Sequence, residues 1–466
     1  MGSGSSVDAA EAAKNATDED IQKALDNMPE EKKAKAVAAL ASKKAGPKAE
    51  KKASGDQTVA IIYYSMYGHV EGMAQEIKKG LEKGGVSVDM FQVPETLPDD
   101  ILKMMGAPPK NPDVPTLDME MVTKLHEYDG FMFGIPTRFG MMCAQMKAFF
   151  DMTGGHWMKQ SLAGKPAGTF VSTATQNGGQ ELTHMQTLSC LVHHGLMYVP
   201  FGYQGGGPMF SVDEIHGASP WGASTLAAGD GSRKPSEMEL QMANLQGEKF
   251  ADAVKRTKTA EVSRKCKVGL VYYSTYGHIK KMADEIAKAV EAEGVEVVKY
   301  QVKETLDEGV LTAMGAPPKS EDKVIEHANL EELLACDGIM VGVPTRFGQP
   351  ASQIKSFWDS TGGLWQAAKM VGKLGASFVS TGTPQGGQET THFTHLPNFV
   401  HHGMIYVPLG SADPSLLSMD ELHGGSPWGA STYAGATGTR QPSEIELKIA
   451  AVQGKTFAAK VKLMAV

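Results

Sequence analysis

The chain states its motifs twice, in the same order, and that repeat constrains it more than any other feature. Val59-Ala-Ile-Ile-Tyr-Tyr-Ser-Met-Tyr-Gly-His-Val70 returns as Val268-Gly-Leu-Val-Tyr-Tyr-Ser-Thr-Tyr-Gly-His-Ile279. Gly134-Ile-Pro-Thr-Arg-Phe-Gly140 returns as Gly342-Val-Pro-Thr-Arg-Phe-Gly348, and His216-Gly-Ala-Ser-Pro-Trp-Gly-Ala-Ser-Thr225 as His423-Gly-Gly-Ser-Pro-Trp-Gly-Ala-Ser-Thr432. So long a period lies far beyond solenoid repeats and means a duplicated domain. The length of 466 residues accommodates two or three domains.

Within each copy, apolar runs alternate with helical patterns. In the first, Thr58–Tyr64 is short and apolar, as a buried parallel strand requires. Val70, Met73, Ala74, Ile77 and Leu81 then recur on one helical face. Val86–Phe91, Gly130–Ile135, Ala167–Thr173 and Leu196–Val199 are the later strands, and Pro94–Pro115 is a Pro-rich excursion too long for a simple connection. The last helix opens on a capping box, Ser236 with Glu239, repeated by Ser443 with Glu446. The expected fold is α/β: two doubly wound domains, each a five-stranded parallel sheet with helices on both faces, over residues 58–256 and 267–463.

Residues 1–57 differ, being rich in Ala, Lys, Glu and Asp and devoid of aromatic residues. Thr17–Leu40 carries a weak amphipathic pattern through Ile21, Leu25, Met28 and Val37, too sparse to order itself, so a disordered tail is expected. Its start, Met1-Gly2-Ser-Gly-Ser-Ser6, fits N-myristoylation at Gly2, and Lys48, Lys51 and Lys52 add attraction to anionic lipid. A single acyl chain gives weak, reversible membrane association.

The net charge of −8 argues against a nucleic-acid partner, which calls for a basic face. Cys143, Cys190, Cys266 and Cys336 form no CxxC pair and no zinc spacing, so no metal site is expected, and scattered thiols suit a reducing compartment. No apolar run approaches a membrane span, and no signal-peptide pattern opens the chain. The expected location is the cytoplasm.

Three loops carry the chemistry. Ser65-Met-Tyr-Gly-His-Val70 follows a strand and opens a helix, where free N–H groups and the positive helix end favour an anion. Without the lysine of a Walker loop, this donor nest suits a single terminal phosphate. Pro136-Thr-Arg-Phe-Gly140 and Ser172-Thr-Ala-Thr-Gln-Asn-Gly-Gly179 end the third and fourth strands, where such sheets bind ligands. Nothing suggests a hydrolytic triad or carboxylate pair.

These motifs, with TGGHW/TGGLW, GGQE and HHG, resemble the WrbA-type NAD(P)H:quinone oxidoreductases, and both copies carry all of them. The resemblance implies a flavodoxin-like fold, bound FMN, and two-electron reduction of quinones by NADH or NADPH. The implied FMN contacts in the first copy are Ser65, Met66, Tyr67, Gly68, His69 and Val70, then Thr137, Arg138 and Phe139, then Ser172, Thr173, Ala174, Thr175, Gln176 and Asn177, and His193. In the second they are Ser274, Thr275, Tyr276, Gly277, His278 and Ile279, then Thr345, Arg346 and Phe347, then Ser380, Thr381, Gly382, Thr383, Pro384 and Gln385, and His401. By the same resemblance Tyr67 and Tyr276 take the nicotinamide contact and Trp157 and Trp365 the aromatic substrate wall; His193 and His401 read either as catalytic residues steadying developing charge or as helix-end histidines satisfied by backbone. Both copies depart from the bacterial pattern by one extra residue in the Thr-rich loop, Gln176-Asn177 and Pro384-Gln385, and the first has Ala174 where the second keeps Gly382.

The resemblance also implies a homo-oligomer, here a dimer of tandem chains supplying four domains. Met141, Met142 and Met146 fall at helical spacing, as core filling or as the lining of a quinone slot. A flavodoxin-type one-electron carrier and a membrane-associated flavoprotein scaffold remain open beside the enzyme.

Overall fold

The computed structural model describes residues 57–258, 264–411 and 413–465, so all but the last residue of the expected N-terminal tail, with its amphipathic stretch and Gly2, lie outside the described residues. The first apolar run forms β1, Thr58–Tyr63, buried along five of its six residues. Then come α1 (His69–Lys83), β2 (Ser87–Gln92), β3 (Gly130–Arg138), α2 (Ala144–Met152), α3 (Gly154–Lys159), β4 (Pro166–Thr173) and α4 (Gln180–His193). A short β5 (Met197–Tyr198), β6 (Ser224–Leu226) and α5 (Glu237–Arg256) complete the repeat. The second repeat runs β7 (Lys267–Tyr272), α6 (His278–Ala292), β8 (Glu296–Val302), β9 (Gly338–Arg346), α7 (Ser352–Ser360), α8 (Gly362–Gln366), β10 (Leu374–Thr381), α9 (Gln388–His401), β11 (Ile405–Tyr406), β12 (Ser431–Tyr433) and α10 (Glu444–Met464).

The helical periodicity read from the sequence is realised: Val70, Met73, Ala74, Ile77 and Leu81 are all buried on α1. Both capping boxes form, with Ser236 and Ser443 accepting from the N–H three residues on and Glu239 and Glu446 bonding back. In the excursion, Val114 N–H donates to Asn111 O across a short turn. The second repeat's excursion adds a strand that the sequence pattern did not suggest, Lys323–Ile325, parallel to β8.

Each half orders its five parallel strands 2-1-3-4-5, β2-β1-β3-β4-β5 and β8-β7-β9-β10-β11. One continuous sheet joins them, because β5 and β11 pair antiparallel through Tyr198 and Tyr406. Each of these buried tyrosines donates its O–H to a tryptophan carbonyl of its own repeat, Trp221 and Trp428. Gly202 and Gly403 meet across the junction so closely that a β-carbon on Gly202 would lie 3.0 Å from the Gly403 Cα. Gly410 and Gly195 repeat this at 2.8 Å.

That antiparallel join governs the site. Within a repeat, loops at the C-terminal ends of the strands share one edge. At the junction this edge continues into the N-terminal edge of the other repeat's strands.

Candidate functional site

The site builds from the end of β7. Ser274 follows the strand, and Gly277 caps α6 with φ +91° in the left-handed region, as Gly68 caps α1 at +88°. Gly277 N–H donates to Ser274 Oγ at 3.1 Å, folding the loop over the helix N-terminus. The Thr345–Gly348 turn is drawn in by hydroxyls: Gly348 N–H and Thr391 Oγ1 both donate to Thr345 Oγ1, at 3.1 and 2.8 Å. Thr137, Gly140 and Thr183 repeat the arrangement in the first copy. Thr391 and Thr183, one turn into the helix that begins in the GGQE motif, hold this turn, and the sequence reading missed them. The Thr-rich loop is closed by Thr381 Oγ1 donating to Thr383 O at 3.0 Å and by Thr173 Oγ1 donating to Thr175 O at 3.1 Å.

In the second copy the three loops enclose a pocket of about 270 Å³. Ser274, Thr275, Tyr276, His278, Ile279, Thr345, Arg346, Ser380, Thr381 and Gly382 line it, so the structure gathers most of the residues named from the sequence. It adds a fourth wall that sequence reasoning left unassigned, Ala434–Gly438, just after β12. The doubled SPWGAST motif ahead of this loop was the available signal. Buried Glu446 fixes the wall, accepting from Arg440 Nη1, Thr432 Oγ1, Gly424 N–H and its own cap Ser443 N–H. Arg233 and Glu239 do the same in the first copy.

Several of these side chains also have partners or settings of their own in the fold. His69 and His278 are buried, and each Nε2 donates to the carbonyl of Arg233 or Arg440, at 2.9 and 2.8 Å. They tether the fourth wall, and burial lowers both pKa values. Phe139 and Phe347 do not pack inward: both are fully exposed, with φ +56° and +55°. Asn177 and Gln385, in the stretch where the loop is one residue longer than the bacterial pattern, take φ +56° and +53° in the left-handed region. Arg138 and Arg346 make no ion pair among the described residues; each donates to the carbonyl of the threonine before it. Met66 and Thr275 are buried, while Ala174, Thr175, Gln176, Thr383 and Pro384 are exposed. Met146 is core and Met141 half exposed, so the three methionines form no single stripe.

A cation does reach the second phosphate-type loop, from the excursion. Lys319 Nζ donates to Ser274 O at 3.1 Å and pairs with Glu304 at 2.6 Å. Burial opposes charge on Glu304, but Lys319 and two backbone N–H groups outweigh it and bring the pKa to about 2. The lysine is therefore neutralised locally.

The pairing of His193 and Trp157 with the first copy's loops does not hold within one repeat. Helix α4 starts at the loop edge and delivers His193, the last of its 14 residues, to the opposite edge, just before β5. Trp157 lies on α3, ahead of the N-terminal start of β4 at Pro166, and so shares that far edge. His401 and Trp365 lie likewise at the far edge of the second repeat. Since the half-sheets run antiparallel, His401 and Trp365 stand on the edge that carries the first repeat's loops. Tyr203, just past β5, lies with its hydroxyl 3.0 Å from His401 Nδ1, and Glu181, beside the first copy's Gly179 turn, acts on both electrostatically. Burial lowers the His401 pKa.

A parallel sheet ordered 2-1-3-4-5, with its pocket at the strand C-termini and a donor nest at a helix start, defines the flavodoxin-like class. The flavodoxin family matches residues 61–195, and the NADPH-dependent FMN reductase family matches residues 267–413. A quinone oxidoreductase of Triphysaria versicolor is 56% identical over 201 residues, which is 43% of this chain and 96% of that protein. An NAD(P)H quinone oxidoreductase of Candida albicans is 53% identical over 200 residues, 43% of this chain and 97% of its own. A probable NAD(P)H dehydrogenase (quinone) of Arabidopsis thaliana is 50% identical over 206 residues, covering 44% of this chain and 74% of its own. The chain belongs to the WrbA-type flavodoxin-like family.

Proposed function

We propose that the chain is an NAD(P)H:quinone oxidoreductase that holds FMN in each repeat and reduces quinones by two electrons. The observation that carries this reading is the pocket of about 270 Å³ at the β7, β9 and β10 strand ends, lined by hydroxyls and backbone with Arg346 as its charged side chain. Its residues suit FMN. The α6 N-terminus with Gly277 offers N–H donors to a phosphate, and Ser380, Thr381 and Gly382 offer polar groups to a ring edge.

When bound, FMN supplies the capacity to accept and pass on a hydride. The protein's share is placement and exclusion of water. Tyr67 and Tyr276, 37% and 41% exposed at the loop tips, offer ring faces to a flat guest. Trp365 and His401 would face the first repeat's loops, and Trp157 and His193 the second's. Burial disfavours the charged form of His401, which suits it to a hydrogen bond with a guest oxygen more than to a charge.

The test is oxidation of NADH and NADPH by the FMN-loaded chain with benzoquinone. Turnover with ping-pong kinetics is expected, because one stacking position serves both flat substrates in turn. A loaded chain that oxidises neither nicotinamide overturns the reading and leaves an electron carrier.

A further inference from the structure

We propose that Tyr203 and Phe210 make the two sites of this chain non-equivalent, building on the first repeat's loop edge an aromatic cage for fused-ring quinones that the second repeat lacks. The nature of the guest rests on the function proposed above; the asymmetry rests on geometry alone. Aligned through Gly202 with Gly410 and His216 with His423, the repeats set Tyr203 opposite Ser411 and Phe210 opposite Leu417. The pseudo-symmetric junction therefore places different side chains against otherwise matching partners.

At the first edge the Tyr203 and Phe210 rings stack, with centroids 5.2 Å apart and planes at 8°. Trp365 stands edge-on to both, at 5.2 Å and 88° from Tyr203 and at 6.5 Å and 86° from Phe210. The bond between Tyr203 and His401 fixes the tyrosine ring. The cluster is open: Phe210 is 55% and Trp365 37% exposed, so ring faces remain for a planar guest. Its place beside the first repeat's loops follows from Leu182, next to Glu181, where a β-carbon on Gly140 would lie 3.6 Å from the Leu182 side chain.

The second edge is built differently. Ser411 carries no ring; its N–H donates to Gln160 Oε1 at 3.1 Å, and Gln160 in turn donates to the carbonyl of Trp157 at 2.7 Å. Ala368 stands where the other side would need that glutamine. Among the described residues neither Trp157 nor His193 makes a ring contact, and Leu417 is 63% exposed. The second edge thus offers one tryptophan where the first offers three rings.

The experiment titrates oxidised, FMN-loaded chain with 1,4-naphthoquinone and, separately, benzoquinone, following flavin and tryptophan emission without nicotinamide. Two classes of naphthoquinone site are expected, differing about two- to tenfold in affinity, with a smaller gap for the single ring. Y203S/F210L should merge the classes at the weaker value, and S411Y/L417F should create a second tight class. Because the second swap is a gain, loss of folding in the first does not decide the matter. Equal classes in the unmodified chain, or classes untouched by both swaps, overturn the proposal. Tryptophan emission reports the cage without flavin, so two responsive classes in a chain that turns over no quinone would sink the enzyme reading and leave this one standing.

Discussion

Trp358 donates its indole N–H to His395 Nε2 at 2.8 Å, inside the second repeat's core, where the first repeat has Phe150 and Thr187. His395 Nδ1 has no partner. Burial holds His395 and His392 at pKa values of about 3, and His184 in the first repeat likewise. Burial takes His402 to about 4. Below the ordinary value of 6.5 the unfolded chain binds protons that these folded histidines refuse. Their contribution is therefore fully present above pH 6.5 and lost as the pH falls toward 4 and then 3. Each should add a slope of about 1.4 kcal/mol per pH unit in that window. Urea unfolding from pH 7 to 4.5 should show the loss, and W358F/H395T, which restores the first repeat's pair, should remove one proton's worth. An unchanged slope in that variant refutes the assignment.

Each chain should bind two FMN. Gly68→Val and Gly277→Val should each remove one. Nothing lies within 4 Å of a β-carbon at either position, so the obstacle within the protein is the left-handed φ, strained for a branched side chain. Flavin released by denaturation, counted per chain, checks this; saturation at one FMN in the unmodified chain would count against it.

The crossed arrangement of tryptophans gives a sharper test of the site. In a Gly68→Val background only the second repeat keeps flavin, and Trp157→Ala should lower kcat/KM for benzoquinone there about tenfold, whereas Trp365→Ala should leave it nearly unchanged. A Gly277→Val background should reverse the two. If each tryptophan instead serves its own repeat, the antiparallel edge does not form the site.

Two glycine substitutions should move stability in opposite directions. Gly202→Ala meets both φ +58° and the Gly403 backbone at 3.0 Å, and should cost more than about 1 kcal/mol. Gly72 lies within α1 with only Pro235 nearby at 3.8 Å, and alanine there should stabilise by about 0.5–1 kcal/mol. Denaturant midpoints read both.

Light scattering should find a particle of two chains, four domains in all, as the resemblance implies. A fully active monomer would end that expectation.

The amino-acid order by itself determined the local elements and the loops. The period of Val70, Met73, Ala74, Ile77 and Leu81 is a property of one helix, and Ser236 with Glu239 is a cap spanning three residues. The doubled loop motifs likewise named most of the pocket before any packing was known. The fourth wall at Ala434–Gly438 escaped because only the buried bonds of Glu446, reaching back to Gly424 and Thr432, hold it against the others. What only the tertiary structure decided is beside which repeat's loop edge His193, Trp157, His401 and Trp365 stand. That depends on β5 pairing antiparallel with β11 through a single residue pair, Tyr198 with Tyr406, and two glycine contacts. This pairing between residues some two hundred positions apart leaves no periodic trace in sequence, because each of the two strands is only two residues long, too short to carry an alternation.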